Sequence, residues 1–520
     1  MKTKFYFLLI ALFALTFSVG AQKFGNDIVI HECAGIYWAK PKISVADNGW
    51  IYVLMNKYGH PSENDETRIY RSIDGGVTFS QIMHGITPSD KKQGGRDIVV
   101  TGDNASNIKL WYVYADNNTA TGEAHVFLMK MDADGSNESI AHSYTIASTQ
   151  NHDVAISTNA RNPDDTWLPF TIGFAASSNY NTTGYIDYVY SINGGTTFNR
   201  TVMYNKPNSE FGSIDLSIGQ ATAYLYYPYV GIVFEMDKES EKNIGFIAGR
   251  ADGLNSTTAL QVNKKYSSSH KTKQPKIQWL CNNTLTEPYN FMIVYSNYYN
   301  DSDWDIIKIY PESGYNLSNH TLDNLDYYYV ASSSVSHEEY ADLSYDKTYN
   351  HYLLTYRKTT GDESKVVYQV QHYTEALGDN GWTYIVDVSS DNSGTLSYYS
   401  PVVDIDLTRG KACYAFEAYT YGTTRLLFDS EWSNIGVEEV VMDGEFKVFP
   451  NPATDNITLR MNEEGTYLVR IYNMIGGKVA TFEFTGTEFT HNISGLPTGM
   501  YLIKLNTEKG TEFNAKIIVK

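Results

Sequence analysis

Seven short alternating segments each put a charged residue first and apolar residues second and fourth. They are KISV from Lys42, DIVV from Asp97, DVAI from Asp153, DLSI from Asp215, KIQW from Lys276, DLSY from Asp342 and DIDL from Asp404, recurring every 55 to 66 residues. Five carboxylates and two ammonium groups in equivalent positions admit two kinds of chemistry. As a ring of charge they would form a polar pocket for a hydroxylated or cationic ligand, with some carboxylate pKa values raised. As architecture, each Asp would bond the backbone of a neighbouring unit. Arg96, His152, Glu339 and Asp406 lie alongside. The binding candidates are therefore Lys42, Arg96, Asp97, Asp153, Asp215, Lys276, Asp342 and Asp404, and any acid and base would come from Asp97, Asp153, Asp342 and Asp404.

Other sites are sparser. Asp301, Asp303 and Asp305 in NDSDWD alternate as Ca²⁺ ligands do, but lack the usual turn glycine, so a solvated acidic loop is the competing reading. SHEEY, Ser336 to Tyr340, lacks the second His of a zinc helix and reads as a polar loop. No cofactor is expected: NDSDWD reads first as a solvated acidic loop with Ca²⁺ as the alternative, and no phosphate-cradling glycine loop and no Ser-His-Asp context stands out.

The elements that must position these residues are strands. The chain has 520 residues, 43 of them Tyr, and its aromatic and β-branched residues run at period two between Asx and Gly turns, which makes it all-β. Each of the seven segments has the period of a strand. YRSIDGGVTFSQ, with Ser72, Asp74, Gly76, Thr78 and Phe79, and YSINGGTTFNR, with Ser191, Asn193, Gly195, Thr197 and Phe198, share one turn. In it an Asp or Asn accepts from backbone N–H groups while Gly takes a positive φ. These residues resemble the Asp-box of sialidase-like (BNR-repeat) β-propellers. The resemblance implies a structural turn between the third and fourth strands of a blade, away from the ligand face.

Seven leading strands then imply a seven-bladed β-propeller. The last unit ends one strand short near RLLFDSEW, and NDIVIHE, from Asn26 to Glu32, has no partner, so the N-terminal strand is expected to complete the last blade. Cys33 and Cys413 would share that blade, either bridged or as buried thiols. Sialidases hold a carboxylate with three arginines and attack with a Tyr activated by Glu. Here Pro41 aligns with the first arginine segment, but Ala39 stands where Arg belongs, leaving Lys40 or Lys42 as point charges. Arg96, Arg250, Arg357 and Arg409 fall in no recognisable triad context.

The ends of the chain give its destination. Lys2 and Lys4 precede an apolar run from Phe5 to Phe17 and the small residues Val19-Gly20-Ala21, a secretory signal peptide over 1–21. Residues 22–440 are assigned to the propeller and 441–520 to a linker and a small Ig-like β-sandwich. Pro450-Asn451-Pro452, Gly476, Leu496-Pro497, Gly499-Met500-Tyr501 and Lys516 to Lys520 closely resemble the type A C-terminal sorting domain of the type IX secretion system of Bacteroidota. That resemblance implies export, removal of the domain, and a secreted or cell-surface product whose partners include the secretion machinery. The net charge of −19 argues against a nucleic-acid partner, and no stretch is long and apolar enough for a membrane helix.

The expected function is a monomeric, non-catalytic propeller that binds an extracellular glycan or protein, with Trp38, Trp111 and Trp304 as candidates for the mouth and equally for the core. The alternative is an exo-acting glycoside hydrolase of sialidase-like type that uses channel-mouth carboxylates.

Overall fold

The computed structural model describes residues 27–432 and 446–519, less several segments of which 160–170, 220–227, 280–290 and 373–384 are the longest. The expected signal peptide, Trp38, Cys281 and Asp301 lie outside the described residues. The chain divides into two compact units, Met1–Ser433 and Asn434–Lys520.

Among the described residues the first unit holds seven four-stranded antiparallel sheets, together with a small two-stranded ribbon. Their leading strands are Lys42–Val45, Lys91–Thr101, Gln150–Thr158, Glu210–Ile218, Lys271–Trp279, His337–Asp346 and Ser397–Asp406, and each contains one of the seven charged segments. Every leading strand packs on the leading strands of the sheets before and after it, and Lys42–Val45 also packs on Ser397–Asp406. The contacts close on themselves, which defines a β-propeller.

The sheets are apolar on both faces because each lies between two others. Ile51–Lys57, second in its sheet, is buried at every residue. Val45, Ile51 and Val53 pack with Val402, Ala415, Leu426 and Phe428 across the joint between the first and last sheets. Val113, Ala115, Val154, Ile156 and Phe174 fill the joint between the second and third. The core is thus a series of wedges between sheets rather than one central mass.

The last sheet takes its fourth strand from the other end of the unit. Ile28–Ala34 pairs antiparallel with Thr423–Trp432, Ile28 opposite Phe428 and Ala34 opposite Thr423. Cys33 and Cys413 share this sheet as free thiols. The strand Thr423–Trp432 runs between theirs, which keeps them from bridging.

The turns around Asp74 and Asn193 join third to fourth strands. The Ser72 hydroxyl donates to Asp74 Oδ1 at 2.7 Å and accepts from the Gly76 N–H at 2.8 Å. Thr78 donates its N–H and hydroxyl to the Asp74 carboxylate at 2.9 and 2.6 Å. What burial there is works against the Asp74 charge, but these donors outweigh it and draw its pKa down to about 2. Gly76 has φ 93°, and a Cβ there would lie 2.1 Å from Phe428 of the preceding sheet; at Gly195 it would lie 2.2 Å from Trp111, again of the preceding sheet. Third strands run parallel to leading strands, so these turns sit on the face where leading strands end.

One expectation fails here. SHEEY is not a loop, since His337 opens a leading strand. Trp111 belongs to the core rather than the mouth: it is 1% exposed, and its indole N–H donates to Thr101 Oγ1 at 3.1 Å.

Among the described residues the second unit holds one five-stranded sheet. Asn456–Asn473 pairs with Lys478–Asn492 with the register shifting between Arg460 and Gly465 and again between Ile471 and Tyr472. Ile457, Leu459, Val469, Ile471, Ile503, Leu505 and Ile517 form its core.

Deleting Ile28–Ala34 would leave Thr423–Trp432 with an unpaired edge. The shortened protein is expected to self-associate and to melt at lower temperature, read by light scattering and calorimetry. A monomer with an unchanged midpoint would contradict this account of closure.

Candidate functional site

The ring residues meet the backbone of the next sheet. Asp97 Oδ2 accepts from the Ile156 N–H at 3.0 Å, Asp153 Oδ2 from Ile214 at 3.2 Å, and Asp215 Oδ2 from Ile277 at 2.9 Å. Asp342 Oδ2 accepts from Val403 at 2.9 Å, and Asp404 Oδ2 from Val45 at 2.8 Å, carrying the pattern from the last sheet back to the first. The cause is elementary. A leading strand is hydrogen-bonded on one edge only, and its other edge faces the channel with N–H groups that need acceptors.

Lysines take the two remaining places. Lys42 Nζ lies 3.6 Å from Asp97 Oδ1, while Lys276 Nζ lies 3.1 Å from Asp342 Oδ1 and 3.7 Å from Asp215 Oδ1. Burial pushes the Asp215 carboxyl up to about 6, against the pull of Lys276. Burial also works against the Lys276 ammonium, but Asp215 and Asp342 outweigh it and raise its pKa. Arg96, 4% exposed, donates to Asp116 Oδ1 at 2.6 Å, to Gly95 O at 2.9 Å, to Thr67 Oγ1 at 3.2 Å and to the Ala115 carbonyl. Its donors are turned toward the protein. Among the other arginines, Arg250 pairs with Asp252 and Arg409 with Asp406.

Just before the ring residue, six of the seven leading strands carry one extra residue. The register slips at Gln93/Arg96, Asn151/Asp153, Phe211/Ile214, Lys273/Lys276, Glu339/Asp342 and Tyr399/Val402. Such bulges bend a strand and re-aim its side chains. Gln274, Tyr340 and Ser400 adopt φ 55°, 58° and 47°, a conformation costing about 1–3 kcal/mol for a residue with a side chain. Gly95 has no such freedom, because a Cβ there would lie 2.1 Å from the Val154 nitrogen.

The bulges converge. Gly94, Gly95, Ser213, Gln274, Tyr340 and Ser400 line one cavity of about 210 Å³ together with Lys40, Lys42, Asn56, Tyr58, Arg96, Asp153 and Lys276. It lies at the beginning of the leading strands, opposite the Asp74 and Asn193 turns. Asp153 is the one carboxylate in this lining, and both its oxygens are engaged, Oδ1 by the Val154 N–H at 3.0 Å. Of the ring candidates, then, Lys42, Arg96, Asp153 and Lys276 reach the cavity, while Asp97, Asp215, Asp342 and Asp404 are not in its lining.

Lys40 and Tyr58 give the cavity its reactive character. Lys40 is exposed, and its ammonium lies 5.2 Å from the Tyr58 ring centre. Desolvation opposes the Lys40 charge, but Tyr58 outweighs it and raises the Lys40 pKa; desolvation raises that of Tyr58, with Lys40 pulling the other way. The phenol therefore keeps its own hydrogen to give. Behind them Glu417, 1% exposed, takes the Ala39 N–H at 2.9 Å, and burial lifts its carboxyl to about 7. Tyr58, Tyr340 and Glu417 were not found from sequence. Their neighbourhood is made by bulges and by sheet contacts hundreds of residues apart.

Asp303 and Asp305 lie on the strand Asp303–Pro311 beside Trp304, with Asp305 buried, which corrects the reading of NDSDWD as a solvated acidic loop at these two residues. Burial pushes Asp305 up to about 6, with Asp303 adding to it. The described residues contain no group of three or more His, Cys, Asp or Glu able to hold a metal.

Comparison with known proteins agrees with the C-terminal reading. Residues 447–520 match the secretion system C-terminal sorting domain. The protein is thus one sorted by the type IX system to the cell surface or the medium. Over 167 aligned residues the chain is 28% identical to the endo-acting ulvan lyase of Formosa agariphila, a match covering 28% of this chain and 32% of that one. The chain therefore spans about a third of the curated relative's length. Among solved structures, an ulvan lyase bound to a GlcA(1-4)Rha3S unit is 8% identical with TM-score 0.46, over 77% of this chain and 95% of that one. An α-L-arabinofuranosidase from Fusarium graminearum is 10% identical with TM-score 0.43, over 79% and 99%.

The curated relative degrades a glycan. That overturns the expectation of a non-catalytic binding propeller and favours its alternative, catalysis on a glycan.

Two predictions follow from the ring and from Glu417. Asp404→Ala orphans the Val45 N–H and should cost about 1–3 kcal/mol in denaturant unfolding. The Glu417 carboxyl titrates higher in the folded than in the unfolded chain, so the folded state holds the extra proton and loses stability as pH rises from about 4 to 7. Glu417→Gln removes that loss and should gain about 1–3 kcal/mol at pH 8 relative to pH 4. Equal pH slopes in variant and parent would refute this.

Proposed function

We propose that the chain is an exported, monomeric polysaccharide-degrading enzyme, a seven-bladed propeller with an Ig-like sorting domain, which cleaves an acidic glycan at the Lys40–Tyr58 cavity. The Lys40–Tyr58 pair carries this reading. A cationic cavity with Lys40, Lys42 and Lys276 around it suits a sugar carboxylate, and Tyr58 can give its proton to the departing glycosidic oxygen.

With the carboxylate neutralised, the hydrogen on the adjacent carbon becomes acidic. That proton passes to water in the open cavity, the carbon–carbon double bond forms as the bond to the glycosidic oxygen breaks, and the oxygen leaves with the Tyr58 proton, which solvent then restores; the β-elimination carries protons through water but consumes none. The similarity to an ulvan lyase supports this reaction class. Hydrolysis is the second reading, with Tyr58 again giving its proton to the departing oxygen and water adding to the sugar; Glu417 lies behind the lining and acts only through Lys40 and the Ala39 backbone.

The ring aspartates have a smaller part in either reaction. Asp97, Asp342 and Asp404 would hold the sheets that shape the cavity, and Lys42, Asp153 and Lys276 would form its floor. A metal is not required by this scheme.

Incubation with ulvan and with uronate-free glycans separates the readings. Elimination should give ultraviolet absorbance from the unsaturated product, hydrolysis new reducing ends without it, and neither signal would sink the proposal. Tyr58→Phe should lower kcat by about 10²–10⁴-fold. Lys40→Met should act mainly by raising KM.

A further inference from the structure

One step up the leading strands from the cavity, a second charged group is assembled from three sheets' worth of chain. Glu339 accepts from Lys273 Nζ and from Arg357 Nη2, both at 2.5 Å. Lys273 and Glu339 immediately precede the bulge residues Gln274 and Tyr340, and Tyr399 immediately precedes Ser400. Lys273 Nζ lies 3.8 Å from the Trp304 ring centre, and the Arg357 guanidinium lies 5.0 Å from Tyr340 and 4.7 Å from Tyr399.

Two cations share one carboxylate, so the group carries one surplus positive charge. Isolated inside a protein such a charge is costly, and the aromatic faces offset part of that cost. The cations are still reachable. Their side chains keep 23% and 14% of their surface, against 8% for Glu339. The Arg357 Nε is buried and has no hydrogen-bond partner among the described residues, so a ligand would meet the outer nitrogens of the guanidinium. Two partly exposed cations, a guanidinium and an ammonium, with one carboxylate between them are suited to a further oxyanion.

We infer that Lys273 and Arg357 form an oxyanion subsite, separated from the Lys40–Tyr58 cavity by the Tyr340 ring, which binds an acidic group on the sugar next to the one being cleaved. Tyr340 serves both places, since it lines the cavity while its ring faces the two cations. This rests on the proposed glycan reading and narrows it: the polymer carries acid groups on successive sugars. The shared chemistry is that of a carboxylate or a sulfate ester.

Binding, not turnover, tests the subsite, so its failure is distinct from failure of the catalytic reading. Full-length protein carrying Tyr58→Phe is titrated with ulvan, desulfated ulvan, carboxyl-reduced ulvan and free glucuronate at two salt concentrations. Adding Lys273→Gln should weaken polymer binding about tenfold more than glucuronate binding and flatten the salt dependence. Arg357→Lys keeps the charge while losing the fork, and should weaken polymer binding by a smaller factor with an unchanged melting midpoint. Wild-type-like discrimination between the native and modified polymers should disappear in Lys273→Gln for whichever acid group the subsite reads. Polymer affinity unaffected by either substitution, or equal losses for polymer and glucuronate, would overturn the inference.

Discussion

The structure depends on what becomes of the channel-facing edge of each leading strand. A sheet edge presents backbone N–H groups that must be satisfied, and in a closed ring no further strand is available to do it. Aspartate supplies the acceptor here: five carboxylates reach across to the following sheet, and the bond from Asp404 to Val45 joins the last sheet to the first. The acidic ring is therefore an arrangement of acceptors. The lysines at positions 42 and 276 interrupt it and relieve the repulsion that an unbroken circle of carboxylates would carry.

Much of this was legible in the sequence, and for local reasons. The period-two pattern gave all seven leading strands, since alternation is a property of the backbone and needs no tertiary context. The unpartnered N-terminal strand and the short last unit pointed to each other, and Ile28–Ala34 pairs where that reasoning placed it. The C-terminal turn residues identified the sorting domain. Sequence alone does not separate mouth from core for Trp111, because aromatic residues near turns serve the one as readily as the other; it supports the Gly195 turn of the next sheet. SHEEY looked like a loop because its first residues interrupt the apolar alternation, and the bulge after Glu339 is the reason.

The cavity was legible only in part. Lys40 and Lys42 were singled out as possible carboxylate binders, and both line it. Tyr58 was lost among 43 tyrosines, and Glu417 acquires meaning only through the Ala39 backbone. Bulges were invisible, because one extra residue in a strand leaves no mark on composition. Yet they decide which side chains look into the mouth. Architecture repeats and so can be read by comparing units, whereas a reactive site is the departure from repetition, and one chain offers no second copy of it.

The strand Ile28–Ala34 joins nearly the first described residues to nearly the last of the ring. A chain emerging from a ribosome or a membrane channel can order its middle sheets in turn, but its final sheet waits for both extremities. Until then the nascent molecule is an open arc whose free ends are complementary to one another. The assembled mouth therefore depends on both extremities of the ring having been made and brought together.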